Sequence, residues 1–262
     1  MDNRPLAIID SGLGGLTIAQ AIWSLLPREP ILYLADHQYF PYGDKSTQQI
    51  NRRLVRLVNF LSARHSKIVV VACNTITAAS IAFLRSIYKF PFVGTQPAIK
   101  PAIEENLKEN IVVLTTQATA KSKSFRQLIK KYDQKGKVVI HPCPGLADAI
   151  ERLTGNHQKL KQVIKNKYLD KIKTNYSALI LGSTHYILVK DEIKSLIHPA
   201  VKIIEPSQAI AKQTERVLGE KNLLANQSKP KHIFLTTGHA RQASQAAFKL
   251  LKQRIIFSRC SI

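Results

Sequence analysis

The chain has 262 residues, 45% of them hydrophobic, which is enough to bury the core of one large domain or of two smaller ones. No apolar run approaches the roughly 18 residues of a membrane span, and the run before Asp10 is too short for a secretory signal. We therefore expect a cytoplasmic protein without a membrane segment. Cys73, Cys143 and Cys260 are odd in number and far apart, which argues against a disulfide framework and leaves no C-x-x-C metal pair.

The charge is strongly basic, with 39 Lys and Arg against 17 Asp and Glu, a formal net charge of +22. Residues 121–173 alone carry 14 basic and 4 acidic residues. One interpretation is a surface for nucleic acid or another polyanion. The other is a pair of solvated helix faces, because Leu, Val and Ile recur there at helical spacing. We favour the second interpretation and leave nucleic acid open as a partner.

Strand-like apolar runs alternate with amphipathic helical stretches along the whole chain. In chain order, the runs are 6–10, 31–36, 67–72, 91–94, 110–115, 137–141, 178–182, 201–205 and 231–237. Residues 17–26 and 50–61 are typical of the helices between them. This order predicts an α/β fold with mainly parallel sheets flanked by helices and with sites at the C-terminal ends of strands. Three prolines within residues 91–102 indicate a crossing between domains.

Polar clusters follow the strands in two series that resemble each other. Residues 10–11, 40–43 and 73–75 form the first series, and residues 115–119, 141–145 and 183–185 form the second, at offsets near 105, 101 and 110. The weak repeat predicts two similar lobes that face one cleft, a common place for a small-molecule site. Cys73 and Ser183 occupy matched places in the two series.

The glycine-rich segment 11–16, S-G-L-G-G-L, follows the first strand but is not a nucleotide fingerprint. Thr17 stands where the third glycine of G-x-G-x-x-G should be, and no P-loop lysine follows. Two interpretations stay open. The glycines form a tight turn, or their backbone N–H groups bind an anion such as a carboxylate.

Cys73 is the strongest candidate for a catalytic residue. It ends a strand and precedes a helical pattern, so we expect its thiol at a helix N-terminus, where the dipole lowers the thiol pKa and favours thiolate. Such a thiol can take or give a proton near neutral pH. A buried structural cysteine is the alternative, but the polar neighbours Asn74 and Thr75 favour the functional interpretation.

Five motifs in order carry a family resemblance over nearly the whole chain. They are D-S-G-L-G-G-L at 10–16, F-P-Y-G-D-K-S at 40–46, A-C-N-T-I-T-A at 72–78, Q-P-A-I-K-P-A at 96–102 and L-G-S-T-H-Y at 181–186. Together they resemble the motifs of glutamate racemases. The resemblance implies an enzyme without cofactor or metal that interconverts L- and D-glutamate and supplies D-glutamate for bacterial peptidoglycan. It leaves a homodimer open.

The resemblance also implies roles for individual residues. Family members use two cysteines on opposite faces of the substrate, and these positions correspond to Cys73 and Ser183 here. The residues that match assisting groups are Asp10 beside the first position, His185 beside the second, and Glu151. Positions that match substrate contacts are Asp10, Ser11, Tyr42, Gly43, Asn74, Thr75, Thr184 and His185, with Thr119 a weaker candidate. The alternatives are packing for Tyr42, helix capping for Asn74 and Thr75, and a surface charge for Glu151.

Ser183 departs from the family pattern, since a hydroxyl is far less acidic than a thiol and is inert as a base unless another group activates it. His185 lies two residues away and is a candidate to polarise it. We therefore expect impaired activity, from a Cys→Ser variant or from a natural racemase in which Ser183 acts weakly. The alternative is a racemase-like protein diverted to binding glutamate or nucleic acid. Cys143 is disfavoured as a substitute thiol because it follows a different strand.

The predicted domain organisation has one lobe from residues 1–94 and 207–262 and a second lobe from residues 95–206. The return of the C-terminal segment to the first lobe is implied by the resemblance and not by periodicity. We expect the active site in the cleft between the lobes.

Overall fold

The computed structural model describes all 262 residues and contains ten β-strands, all paired in parallel. The strands are β1 (Leu6–Asp10), β2 (Ile31–Ala35), β3 (Ile68–Val71), β4 (Phe92–Gly94), β5 (Asn110–Thr115), β6 (Val138–Pro142), β7 (Tyr176–Gly182), β8 (Lys202–Ile204), β9 (Ile233–Thr236) and β10 (Phe257–Arg259). The first nine lie at the predicted runs. Strand β10 was missed because it has three residues, two of them exposed and polar.

Twelve helices connect and cover the strands. They are α1 (Leu16–Leu25), α2 (Thr47–Ser62), α3 (Asn74–Ile87), α4 (Ile99–Glu104), α5 (Gln117–Lys121), α6 (Lys123–Tyr132), α7 (Leu146–Arg152), α8 (His157–Lys167), α9 (Thr184–Ile187), α10 (Lys190–Lys194), α11 (Ser207–Glu220) and α12 (Ala240–Leu251). Short 3-10 turns lie at Tyr42–Asp44 and Leu169–Lys171.

The strands form two separate sheets with a shared order. One has six strands in the order β10-β9-β2-β1-β3-β4, and the other has four in the order β6-β5-β7-β8. The order β2-β1-β3-β4 in the first sheet therefore recurs as β6-β5-β7-β8 in the second. This correspondence confirms the α/β fold with parallel sheets and accounts for the repeated polar clusters. The C-terminal ends of β1, β2 and β3 match those of β5, β6 and β7.

The chain leaves the first sheet after β4 and returns to it through α11, which packs on α1 before β9 begins. This path supports the proposed lobes of residues 1–94 with 207–262 and of residues 95–206. The residue at which each lobe ends stays a prediction.

Burial on both faces explains why the inner strands read as apolar runs without alternation. Every residue of β1, β2 and β3 is buried, as expected for parallel strands covered by helices on two sides. Separate clusters of apolar side chains fill the two faces of the first sheet, and two more fill the faces of the second. The two sheets therefore hold the residues at the ends of their strands in fixed positions.

The basic segment 121–173 contains two amphipathic helices. Helix α6 buries Phe125, and α8 buries Leu160 and Ile164, while most of their lysines are exposed. This arrangement agrees with the interpretation of these segments as solvated helix faces. Across the whole fold, no helix combines the length and the apolar character that crossing a membrane requires.

Candidate active site

A cavity lies between the C-terminal ends of strands from the two sheets. Among the predicted site residues, those on its wall are Ser11, Tyr42, Gly43, Cys73, Thr75, Ser183 and His185. Its other lining residues are Phe40, Pro41, Asp44, Thr116, Gln117, Cys143, Pro144, Gly145, Ala147, Asp148 and Tyr186. Asp10, Asn74, Thr184 and Glu151 are not on the wall, and the first three are buried. The cavity thus brings together residues that the sequence separates by 172 positions, from Ser11 to Ser183.

Cys73 is the N-cap residue of α3, as the sequence predicted, but its pKa is not lowered. Burial and the nearby charge of Asp10 raise the pKa of the thiol to about 12, although hydrogen bonds from the Ile76 backbone and the Ser11 hydroxyl favour the thiolate. Desolvation outweighs the helix N-terminus at this position. The prediction of a lowered pKa was therefore wrong. Cys73 is a protonated thiol in the free protein at neutral pH.

Asp10 joins the first lobe to the second directly beneath the cavity. Its carboxylate accepts hydrogen bonds from the Gly12 backbone N–H at 3.0 Å and from the Thr184 hydroxyl at 3.2 Å. Burial raises the pKa of Asp10, and the charge of His185 partly offsets this. A carboxyl with a raised pKa beside Cys73 is suited to exchange protons with that thiol.

Glu151 is not a surface charge, because its carboxylate makes hydrogen bonds with three groups, two from the first lobe and one from the second. One carboxylate oxygen accepts the Leu13 backbone N–H at 2.8 Å and bonds His185 Nε2 at 2.8 Å. The other lies 3.2 Å from His37 Nε2. Burial raises the Glu151 pKa, but the hydrogen bonds with His185 and His37 outweigh it, and the net pKa is well below its ordinary value. Glu151 is therefore an anion in the folded protein.

His185 is the basic member of this group. Burial lowers its pKa, but the hydrogen bond and charge of Glu151 and the charge of Asp10 outweigh burial, so the pKa is raised above its ordinary value. The side chain is 2% exposed, and its ring lies 5.2 Å from that of Phe40. His185 is therefore more basic than an ordinary imidazole, and it lies on the cavity wall.

The glycine-rich segment approaches these groups too closely for side chains. A Cβ on Gly12 would lie 2.2 Å from a Glu151 oxygen, and one on Gly14 would lie 2.6 Å from the His185 backbone nitrogen. Both interpretations of the segment hold in part. The glycines form a tight turn, and backbone N–H groups of the segment bind the protein's own carboxylates, Gly12 that of Asp10 and Leu13 that of Glu151.

Ser183 directly follows β7 and is the N-cap residue of the short helix α9, with extended backbone angles and 5% exposure. Its hydroxyl lines the cavity from the second sheet as Cys73 does from the first. The expected activation by His185 is not seen, because the hydrogen bond of the imidazole Nε2 goes to Glu151. A direct hydrogen bond between Ser183 and His185 is not present in this structure.

Tyr42 has a supporting network that sequence inspection did not identify. Its hydroxyl donates to Asp36 at 2.5 Å, so the phenol oxygen is occupied and its ring lines the cavity. Asp36 also accepts the Thr237 hydroxyl at 2.8 Å and a two-pronged hydrogen bond from Arg53 at 2.6 and 2.9 Å. Both charged groups are at least 97% buried. Asp36 directly follows β2, so the rule that polar residues gather after strands could have found it.

Asn74 and Thr75 are not helix caps. The Asn74 amide is buried with neither its nitrogen nor its oxygen in a hydrogen bond, and such groups are normally satisfied by a partner. Thr75 shares a hydrogen bond of 2.9 Å with Thr116 across the cleft. The free Asn74 amide next to Cys73 is suited to a polar ligand.

The structure corrects the prediction that Thr119 contacts the substrate. It is fully buried in α5 and hydrogen-bonds to Thr116 at 2.9 Å, so Thr116 and Gln117 stand on the cavity wall in its place. Thr116 is the N-cap residue of α5, and its hydroxyl accepts from the Thr119 backbone. The segment T-T-Q-A-T pointed to the correct strand end but not to the correct side chain.

The cavity wall has an unexpected charge distribution for a protein of net charge +22. It contains no Lys or Arg, and its acidic members are Asp44 and Asp148. Carboxylates of a ligand would be bound by hydroxyls, amides and the N-terminus of α3. No three His, Cys, Asp or Glu side chains are grouped so as to hold a metal ion.

Comparison with known proteins agrees with this geometry. Residues 17–214 match the family model described as Asp/Glu/Hydantoin racemase, and the chain belongs to this family. A relative from Ectopseudomonas mendocina named glutamate racemase is 37% identical over 250 residues, 95% of each chain.

Solved structures of glutamate racemases share the whole fold. The chain superposes on an isoform from Bacillus anthracis with a TM-score of 0.90 at 32% identity, covering 100% of this chain and 99% of that one. For the enzyme from Francisella tularensis in complex with D-glutamate, the TM-score is 0.85 at 31% identity, with 100% and 98% coverage.

Proposed function

We propose that this protein interconverts L- and D-glutamate by proton transfer at Cα, and that Ser183 slows the reaction. The observation that carries the proposal is that Cys73 and Ser183 follow the ends of equivalent strands, β3 and β7, of two similar sheets and line one cavity. Relatives named glutamate racemase over nearly the full chain, and a similar structure bound to D-glutamate, support the substrate.

Cys73 is the base on the first face of the substrate. Its raised pKa means that the thiolate must form when substrate binds, and Asp10 is the carboxyl placed to exchange that proton. Removal of the α-proton leaves a carbanion whose charge spreads into the substrate carboxylate. The Thr75 hydroxyl lines the cavity, and we expect the unpaired Asn74 amide, which is buried behind the wall, to turn toward a carboxylate bound there.

Ser183 is the defective partner on the second face. A serine hydroxyl holds its proton too tightly to be an efficient general acid and, as the alkoxide, is not available at neutral pH without activation. His185 has a raised pKa, but its Nε2 is bonded to Glu151. We therefore expect the α-proton on the Cys73 face to exchange for deuterium faster than the substrate is inverted.

The test measures by polarimetry the rate at which each enantiomer of glutamate is racemised. The proteins compared are the unchanged protein, Ser183→Cys and Cys73→Ala. General acid–base groups contribute about 10²- to 10⁴-fold, so Ser183→Cys should raise the rate by about 100-fold or more. Cys73→Ala should abolish it. A Ser183→Cys protein that does not racemise either enantiomer would remove the racemase proposal.

Loss of the second thiol also favours a diverted binding protein as the second candidate. In that case, glutamate would bind to Ser183→Cys and to the unchanged protein without racemisation. If the basic surface binds nucleic acid, that binding should weaken steeply with salt. Supply of D-glutamate for peptidoglycan, a cytoplasmic location and a homodimer belong to the racemase proposal and need their own tests.

A further inference from the structure

We propose that Cys143 is the second catalytic thiol of this chain and gives the proton that Ser183 cannot give. The inference rests on the proposed racemisation. Three free cysteines are present, and two of them, Cys73 and Cys143, line the cavity. Cys143 belongs to the second sheet, opposite the sheet that carries Cys73.

The register of the second sheet places Cys143 and Ser183 at the same level, each one residue beyond the end of a strand that flanks β5. Thr115 of β5 pairs with Pro142 of β6 on one side and with Gly182 of β7 on the other, so Cys143 and Ser183 are the next residues of their strands. With strands about 4.8 Å apart, their backbones are separated by about 10 Å, one on each side of the end of β5. The sequence had disfavoured Cys143 because of its different strand, but both strands end at the same cavity.

The surroundings of Cys143 keep its proton on sulfur until substrate arrives. The residue is 1% exposed, and its thiol points to the His141 carbonyl oxygen at 3.5 Å. Its backbone is fixed by a hydrogen bond to the Thr115 carbonyl at 2.8 Å and by one from the Tyr186 hydroxyl at 3.2 Å. Burial raises the pKa of the Cys143 thiol to about 12. Burial therefore keeps both cavity thiols protonated in the free protein.

The proposed step balances without a co-reactant. The Cys73 thiolate takes the α-proton and becomes a thiol, while the C–H electron pair passes into the substrate carboxylate. Cys143 S–H then gives its proton to the opposite face of Cα, and its bonding pair stays on sulfur as thiolate. The product is inverted, the two sulfurs have exchanged roles, and proton exchange with water restores the first state.

The test separates proton exchange from inversion. Each glutamate enantiomer is incubated in heavy water with the unchanged protein, Cys143→Ala, Cys143→Ser and Ser183→Cys, and α-proton NMR is combined with chiral chromatography. We expect the unchanged protein to invert glutamate slowly. Both Cys143 variants should invert it at least about 100-fold more slowly than the unchanged protein. Deuterium should still enter the one enantiomer that presents its α-proton to Cys73, which shows that these variants are folded. Cys260→Ser, a half-buried thiol away from the cavity, is the matched control and should invert at the unchanged rate.

Two results would overturn the role of Cys143 and leave the proposed function intact. One is a rate of glutamate inversion by Cys143→Ala that is within threefold of the rate of the unchanged protein. The other is an unchanged protein that does not invert at all while Ser183→Cys does. If Ser183→Cys neither exchanges nor inverts glutamate, the proposed function itself fails, and the role of Cys143 fails with it.

Discussion

Replacing Glu151 by Gln should reveal how strongly the buried ion pair with His185 holds the two lobes together. Gln keeps the shape of the side chain but removes its charge, so the hydrogen bonds to His185 and His37 lose their ionic character. A hydrogen bond to a charged group is worth about 1.5–3 kcal/mol, and breaking a buried pair about 3–5 kcal/mol. The His185 side chain is 2% exposed and that of Glu151 15%, so screening by water is small. We expect a loss of about 3 kcal/mol in the free energy of unfolding near pH 6.

The pH dependence follows from the two shifted pKa values. Glu151 has a lowered pKa, so its contribution is complete above the unfolded value of about 4.3 and is lost as pH falls through the folded pKa. His185 has a raised pKa, so its contribution is complete below the unfolded value of about 6.5 and is lost as pH rises through the folded pKa. The effect of Glu151→Gln should therefore be greatest between pH 4.3 and 6.5 and smaller at pH 9.

Urea unfolding at pH 6 and pH 9 measures both quantities, and Glu192→Gln is the matched control. Glu192 pairs with His157 at 2.7 Å, but the His157 side chain is 57% exposed. An exposed pair contributes about 0–1 kcal/mol. A stabilising buried ion pair is ruled out if Glu151→Gln lowers the free energy of unfolding no more than Glu192→Gln does at pH 6, or if it lowers it equally at both pH values.

Three further perturbations test other parts of the site. Because burial raises the Cys73 pKa to about 12, alkylation of Cys73 by iodoacetamide in the free protein should speed up about tenfold per pH unit between pH 7 and 9, and a flat profile would contradict this. Arg53→Met leaves Asp36 buried without its cation, so thermal and urea unfolding should show a loss of about 3–5 kcal/mol; a loss below 1 kcal/mol would refute the network. Gly14→Ala should cost about 1–3 kcal/mol because its Cβ meets the backbone of the second lobe, whereas Gly219→Ala, with open space around it, should be neutral or stabilising.

The fold was predictable because buried parallel strands leave a clear pattern. All nine runs identified in the sequence are strands, since both of their faces meet helices and every position can be apolar. Strand β10 was not predictable by the same rule, because Ser258 and Arg259 are exposed at the edge of the sheet. The matched strand order of the two sheets was visible only as a weak repeat of polar clusters.

The site was partly predictable for a related reason. Residues at strand ends, such as Asp10, Cys73 and Ser183, converge because parallel strands end at one edge. The acidity of Cys73 was not predictable, since it depends on burial by residues from elsewhere in the chain. The link from His37 to Glu151 spans 114 positions and has no local signal.

A crystal structure with bound D-glutamate is the most direct test of the proposed chemistry. We expect the substrate Cα between the two sheets, with the Cys73 sulfur about 3–3.5 Å from it on one face and a proton donor of the second sheet, Ser183 or Cys143, on the other. The substrate carboxylate should bond the Asn74 amide, which has no partner in the free protein. Glutamate bound outside this cavity, or with Cα turned away from Cys73, would contradict the account.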